Sequence, residues 1–173
     1  MFNITPDMEQ AWRDLPKPKA TPADIAALEG ALGVKLPPSY VDFVSRYGFV
    51  VFGRDPEGRC VFWYTIDSAA GRQTRENDIS FLFRPDRLLQ IHRYMTTTES
   101  PDDETRPSLP PGYLPVGSDA GHGRILLDIA TNPGQVLYWP DNPSRWGLDD
   151  NVALGFVADD FASFINCLRA SRP

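Results

Sequence analysis

Two cysteines in 173 residues, Cys60 and Cys167, are too few for a disulfide framework. Each sits in an apolar stretch, which reads as a pair of buried thiols acting as small hydrophobes. Long apolar runs are also missing, and no stretch approaches the roughly 20 residues that span a bilayer. Residues 1–9 have neither the basic start nor the apolar run of a secretory leader. These absences set the expectation of a cytoplasmic protein with no membrane attachment. Positive charge is scarce in one region. Residues 117–165 hold seven aspartates (Asp119, Asp128, Asp141, Asp149, Asp150, Asp159, Asp160) and two arginines (Arg124, Arg145), which accounts for −5 of the net −6. An acidic face repels phosphate backbones and draws basic partners, so nucleic acid is not expected as a ligand. The plainer reading, that these aspartates hold turns and keep the chain soluble, stands beside it.

What is present is an ordinary globular composition, 42% hydrophobic and 23% charged, in a chain of one-domain length. Its N-terminal third reads as helical. Met8, Trp12 and Leu15 recur at helical spacing before Pro16 and Pro18 stop them. Thr21, Pro22 and Asp24 form a capping-box start, Ile25, Leu28 and Leu32 share one face, and Gly33 ends the helix. A third helix starts at Pro38-Ser39, presents Tyr40, Phe43, Val44 and Tyr47, and ends at Gly48.

From Phe49 the period becomes extended. Residues 49–52, 60–64 and 79–83 are rich in β-branched and aromatic side chains, with turn signals at 55–58 and 70–71. A short helix follows over about 86–94, with Leu88, Leu89 and Ile91 inward, then a Thr/Pro/acidic connection over 96–112. Further strands are expected at 124–129, 135–139 and 152–157, and a last helix over 159–169 carrying Phe161, Phe164, Ile165 and Leu168. The expected fold is α+β, with N-terminal helices packed on a mainly antiparallel sheet and a C-terminal helix.

Catalytic chemistry needs a nucleophile, a base or a metal site assembled in one place. The chain has two histidines, His92 and His122, and no nucleophile-elbow or Walker-type pattern. The sharpest candidate is the glycine-bearing run 117–123. It could cradle a phosphate, or place Asp119 and His122 on a metal with Asp128. Its glycines precede a strand, whereas phosphate loops usually open a helix, so a connecting turn is the plainer account. Asp149-Asp150 reads as acid/base groups or as capping residues. Trp63, Tyr64, Tyr138, Trp139 and Trp146 read as core or as an interface cluster.

The run 25–43, with Leu28-Glu29, Leu36-Pro37 and Tyr40 ahead of an apolar helix, resembles the N-terminal signature of the SUKH superfamily. The strands around Leu114-Pro115, 125–128 and 134–139 and the Phe-rich final helix resemble that family's C-terminal part. The superfamily includes Smi/Knr-type cell-wall regulators and many bacterial immunity proteins. The resemblance implies a single SUKH-like domain over 1–173, with 1–18 as an added N-terminal helix. It implies a non-enzymatic protein-binding domain without cofactor or metal, such as an immunity protein that neutralises a cognate bacterial toxin, for instance a basic nuclease. An acidic face suits that partner. The expected contact residues are Asp119, Asp141, Trp146, Asp149 and Asp150, with Trp63 and Tyr64 as aromatic anchors. The alternatives are a regulatory or scaffold domain for a cell-wall, phage or signalling protein, and a small-ligand or metal-binding enzyme built on 117–128.

Overall fold

The computed structural model describes residues 1–13, 19–53, 58–68, 71–96, 109–121, 123–140 and 153–170. Helix α1 (Pro6–Arg13) buries Met8 and Trp12, four residues apart and so on one face. The Trp12 ring packs edge-on against Phe43, Tyr47 and Phe52, which draws α1 into the main core. Helix α2 (Pro22–Leu32) opens on the expected capping box. Thr21 Oγ1 accepts from Asp24 N at 3.1 Å, and Asp24 Oδ2 accepts from Thr21 N at 2.8 Å. It closes at Gly33, whose φ of 70° suits a residue without Cβ. Helix α3 (Pro38–Arg46) buries Tyr40, Phe43 and Val44.

The sheet contains β1 (Arg59–Ser68), β2 (Gly71–Asp78), β3 (Phe81–Leu82), β4 (Tyr113–Ser118), β5 (Arg124–Asp128), β6 (Val136–Trp139), β7 (Gly155–Ala158) and β8 (Arg169–Ala170). A 3₁₀ turn (Pro85–Arg87) and helix α4 (Leu88–Thr96) separate β3 from β4, and helix α5 (Phe161–Cys167) separates β7 from β8. The order is β2-β1-β7-β6-β5-β4-β3, and every pairing is antiparallel. One edge of β1 is shared. Thr65 pairs with Phe156 of β7, while Arg59 and Val61 pair with Ala170 and Arg169 of β8.

Strands β2 and β3 lie at opposite ends of this order, yet only Ile79 and Ser80 separate them in the chain. Ile79 N donates to Cys60 O, and Ser80 N donates to Ser118 O, both at 2.9 Å. The chain leaves one end of the sheet and joins the other at that step, so the sheet is curled. Its inner face carries Phe62, Ile125, Leu127, Val136 and Tyr138 against α3 and α5. Phe161 of α5 meets Tyr40 and Phe43 at ring distances of 5.1 and 5.4 Å, and Phe164 meets Phe62 at 6.0 Å. Each such buried ring contributes about 1.5–3 kcal/mol. Exposed pairs such as Arg46–Asp42 contribute about 0–1 kcal/mol, so aromatic packing governs this core. On the outer face a second cluster joins Leu126, Leu137 and Trp139 to Met95 of α4 and to Leu109.

The structure corrects four expectations. Residues 49–52 form only one bridge, Val51 to Phe81, because Gly48 and Gly53 at φ 68° and 73° turn the chain at both ends. Strand β2 has no counterpart among the expected strands. It is polar along its length and lies at the sheet end, so it lacks apolar alternation, and its charges suit an edge. The last helix stops at Cys167. Leu168 turns extended with ψ 136°, and Arg169 joins β1. Cys60 is buried as expected, whereas Cys167 is exposed.

Candidate functional site

The 117–128 segment is a turn built around a carboxylate. Asp119 follows β4, and its Oδ1 accepts from Gly121 N at 2.8 Å and Gly123 N at 3.0 Å. Its Oδ2 accepts from the Tyr138 hydroxyl at 2.6 Å and from Asn77 Nδ2 at 3.3 Å. Asn77 also bonds the Tyr138 oxygen. A Cβ at Gly123 would overlap both Asp119 Oδ2 and the Tyr138 hydroxyl, so this approach requires glycine. Burial raises the Tyr138 phenol far above its usual range, and the Asp119 hydrogen bond and charge act in the same direction.

Asp119 is 6% exposed, so the expected acidic face loses it to the interior. Asp128, 2% exposed, behaves alike: it accepts from Ala130 N, Thr131 N and Asn132 N at 2.8, 2.9 and 3.1 Å. These two aspartates hold turns by Asx-type bonds. The N–H and O–H donors direct their positive ends at the oxygens, where a cation would otherwise sit. Among the described residues, no three His, Cys, Asp or Glu side chains converge in a way that could hold a metal. His122 lies outside the described residues.

Trp63 and Tyr64 are successive on β1 and so point to opposite faces. Tyr64 is 7% exposed, with its ring 4.8 Å from that of Tyr138 and close enough to Gly155 that a Cβ there would overlap it. It belongs to the core and presents no anchor to a partner. Trp63 is 36% exposed on the outer face, opposite Glu76 of β2, with the Arg169 guanidinium 5.8 Å from its ring centre. Asp141, Trp146, Asp149 and Asp150 lie outside the described residues. Asp160 caps α5 by accepting from Ser163 N at 2.8 Å and Ser163 Oγ at 3.0 Å, and the backbone bond holds its carboxyl below the usual range.

Sequence reasoning missed His92 and Met95 as buried members of α4. His92 Nε2 lies 3.2 Å from Pro111 O, and burial lowers the pKa of the imidazole. Their spacing, four and seven positions after Leu88, was the available signal. The Leu-Glu…Leu-Pro signature has a structural reason. Glu29 reaches past Gly33 to accept from Leu36 N at 3.0 Å and pairs with Lys35, which fixes the step into α3. Against that step packs the 132–134 turn, where a Cβ on Gly134 would lie 3.5 Å from Pro37 Cβ.

Helices on a curled antiparallel sheet, joined by this Glu29-braced step, define a SUKH-type domain. The sequence profile of the SMI1 / KNR4 family (SUKH-1) matches residues 19–167, and the chain belongs to that family. Comparison with curated proteins gives no match. No helix among the described residues is long and apolar enough to cross a membrane.

Proposed function

We propose that the protein binds another protein without catalysing a reaction, and that its partner is a bacterial toxin domain which it neutralises in the cytoplasm. Family membership over 19–167 supports a binding role of this kind. The observation that carries the reading to a surface is Trp63, a large aromatic left about one-third exposed and framed by Glu76 and Arg169. Such side chains supply a disproportionate share of interface energy. The proposed contact set is Trp63 with Asp141, Trp146, Asp149 and Asp150, and one domain spans the chain. A basic partner is drawn by the surplus of aspartate that remains once Asp119 and Asp128 are assigned to the interior.

The test is affinity capture from the source organism with the tagged chain, at low and high salt. One basic partner that is lost as salt rises supports the reading. The internal placement of Asp119 and Asp128 thins the acidic face and favours a second reading, a regulatory or scaffold domain. Capture of an acidic or membrane-associated partner, insensitive to salt, would support that one instead.

A further inference from the structure

Strand β2 leaves one side of its backbone open. Ile79 N donates to Cys60 O at 2.9 Å, and hydrogen-bonded pairs alternate along an antiparallel ladder. Gln73, Arg75 and Asn77 therefore turn their N–H and C=O groups towards β1, while Arg72, Thr74 and Glu76 turn theirs away from it. Ser80 continues the second set, and there the fold covers the groups: its N–H donates to Ser118 O and its C=O accepts from Phe52 N, both at 2.9 Å. Asp78 N donates to Asn77 Oδ1 at 2.9 Å. Among the described residues nothing meets the outward backbone groups of Arg72, Thr74 and Glu76, and all three residues are exposed.

The side chains along this edge match the same edge turned around. When two β2 strands pair antiparallel about a two-fold axis, only registers that set outward-directed residues opposite one another make a ladder. With Thr74 on the axis, Arg72 lies opposite Glu76 of the second copy, and Glu76 lies opposite Arg72 of the second copy. Facing residues in such pairs exchange both of their hydrogen bonds, so every open backbone group from Arg72 to Glu76 gains a partner. Neither Arg72 nor Glu76 has an ion pair among the described residues, so both charges are available to this match. On the other face Arg75, which donates to Gln73 Oε1 of its own strand at 2.6 Å, meets Gln73 of the second copy. The neighbouring registers lose the match: one sets Arg75 opposite Arg75, and the other sets Arg72 opposite Thr74. Opposite charges across a ladder are stabilising and like charges destabilising, so the first register is selected. Charge on an edge also discourages unselective pairing.

We infer that the chain forms a two-fold dimer in which β2 of one copy pairs antiparallel with β2 of a second copy, Arg72 facing Glu76 across the axis. The contact is short, which places its affinity in the micromolar range, on the order of 10 μM. The two sheets become continuous. Both Trp63 rings, each opposite Glu76 of its own chain, then lie on the same outer surface. The dimer does not rest on the toxin reading, and either can fail while the other stands.

Sedimentation velocity of the full chain over about 1–200 μM tests this. The parent protein should pass from monomer to dimer within that range. Thr74→Pro removes an outward N–H and leaves the bonds to β1 in place, so it should abolish the dimer while the thermal melt shows a folded monomer. Arg72→Glu and Glu76→Arg, both at exposed positions, carry the test if the proline variant does not fold. Each single reversal sets like charges opposite one another and should weaken self-association by about tenfold or more. The double variant should regain the dimer, and an equimolar mixture of the two single variants should form a heterodimer, because each again sets opposite charges across the axis. The inference is overturned if the dimer survives both single reversals unchanged, or if neither the double variant nor the mixture recovers it. A parent chain that stays monomeric throughout also overturns it, and leaves the edge to an extended segment of another protein.

Discussion

Tyr138 of β6 donates a 2.6 Å hydrogen bond to Asp119 at the end of β4, and Asn77 of β2 reaches both groups. One buried polar knot therefore ties the first edge of the sheet to its middle. Tyr138→Phe removes a donor from a buried carboxylate and is expected to cost about 1–3 kcal/mol. Urea unfolding would detect it. An unchanged midpoint would mean that the curl is held by apolar packing alone.

Gly123→Ala puts a methyl group into that knot. The overlap with Asp119 and Tyr138 must be relieved by moving one of them, at a cost on the order of 1–3 kcal/mol. The same substitution at Gly30, where an added methyl would meet nothing within 4 Å, should be tolerated or mildly stabilising because it lies inside α2. Thermal melts of the two variants side by side would separate steric cost from general glycine effects.

Adjacent aromatics on β1 should behave oppositely. Tyr64→Ala empties a core position and is expected to cost about 3–5 kcal/mol. Trp63→Ala removes a ring that is 36% exposed and is expected to cost less, about 1–2 kcal/mol, while weakening capture of the partner. A Trp63→Ala protein that melts normally and binds normally would remove Trp63 from the contact set.

The lowered His92 pKa makes the fold sensitive to mild acid. Burial keeps the folded imidazole neutral below the pH at which the unfolded chain takes up its proton, near 6.5. The unfolded state then binds more protons, so stability is complete above about pH 6.5 and falls as pH drops towards the folded value. Asp24, Glu29 and Asp160, whose pKa values are lowered by their hydrogen bonds, contribute a separate loss below about pH 4. Urea midpoints at pH 7.5 and 5.5 should differ in the parent protein and converge in His92→Gln. Equal differences in both proteins would assign the effect elsewhere.

Reversing Asp149 and Asp150 to lysine should slow association with the captured partner roughly tenfold at low salt, with little change in dissociation. Surface plasmon resonance at two salt concentrations measures both rates. An unaltered association rate would take these two residues out of the interface.

Local signals were legible where the physics is local. Thr21 with Asp24, Pro22, Gly33 and the Tyr40–Phe43–Val44 stripe specify α2 and α3 through contacts within a few residues, and the structure reproduces them. Strand β2 escaped because it is stabilised by pairing with β1 along its whole length, and its own residues carry no apolar period. The site was less legible. Asp119 looks like surface charge in sequence. Its partners Tyr138 and Asn77 lie 19 and 42 positions away, and only the fold brings them to it. The strand expected over 60–64 already puts Trp63 and Tyr64 on opposite faces, but only the fold shows that the face of Tyr64 is the covered one.

The shared edge of β1 sets an order of assembly during synthesis. Arg59 and Val61 find their partners in Arg169 and Ala170, and Asn3 N finds its acceptor in Asn166 at 2.6 Å. A nascent chain therefore leaves half of the β1 edge and its own beginning open until residues 166–170 have cleared the ribosome. Until then that stretch presents unpaired backbone N–H and C=O groups, the kind of edge on which a second chain can pair.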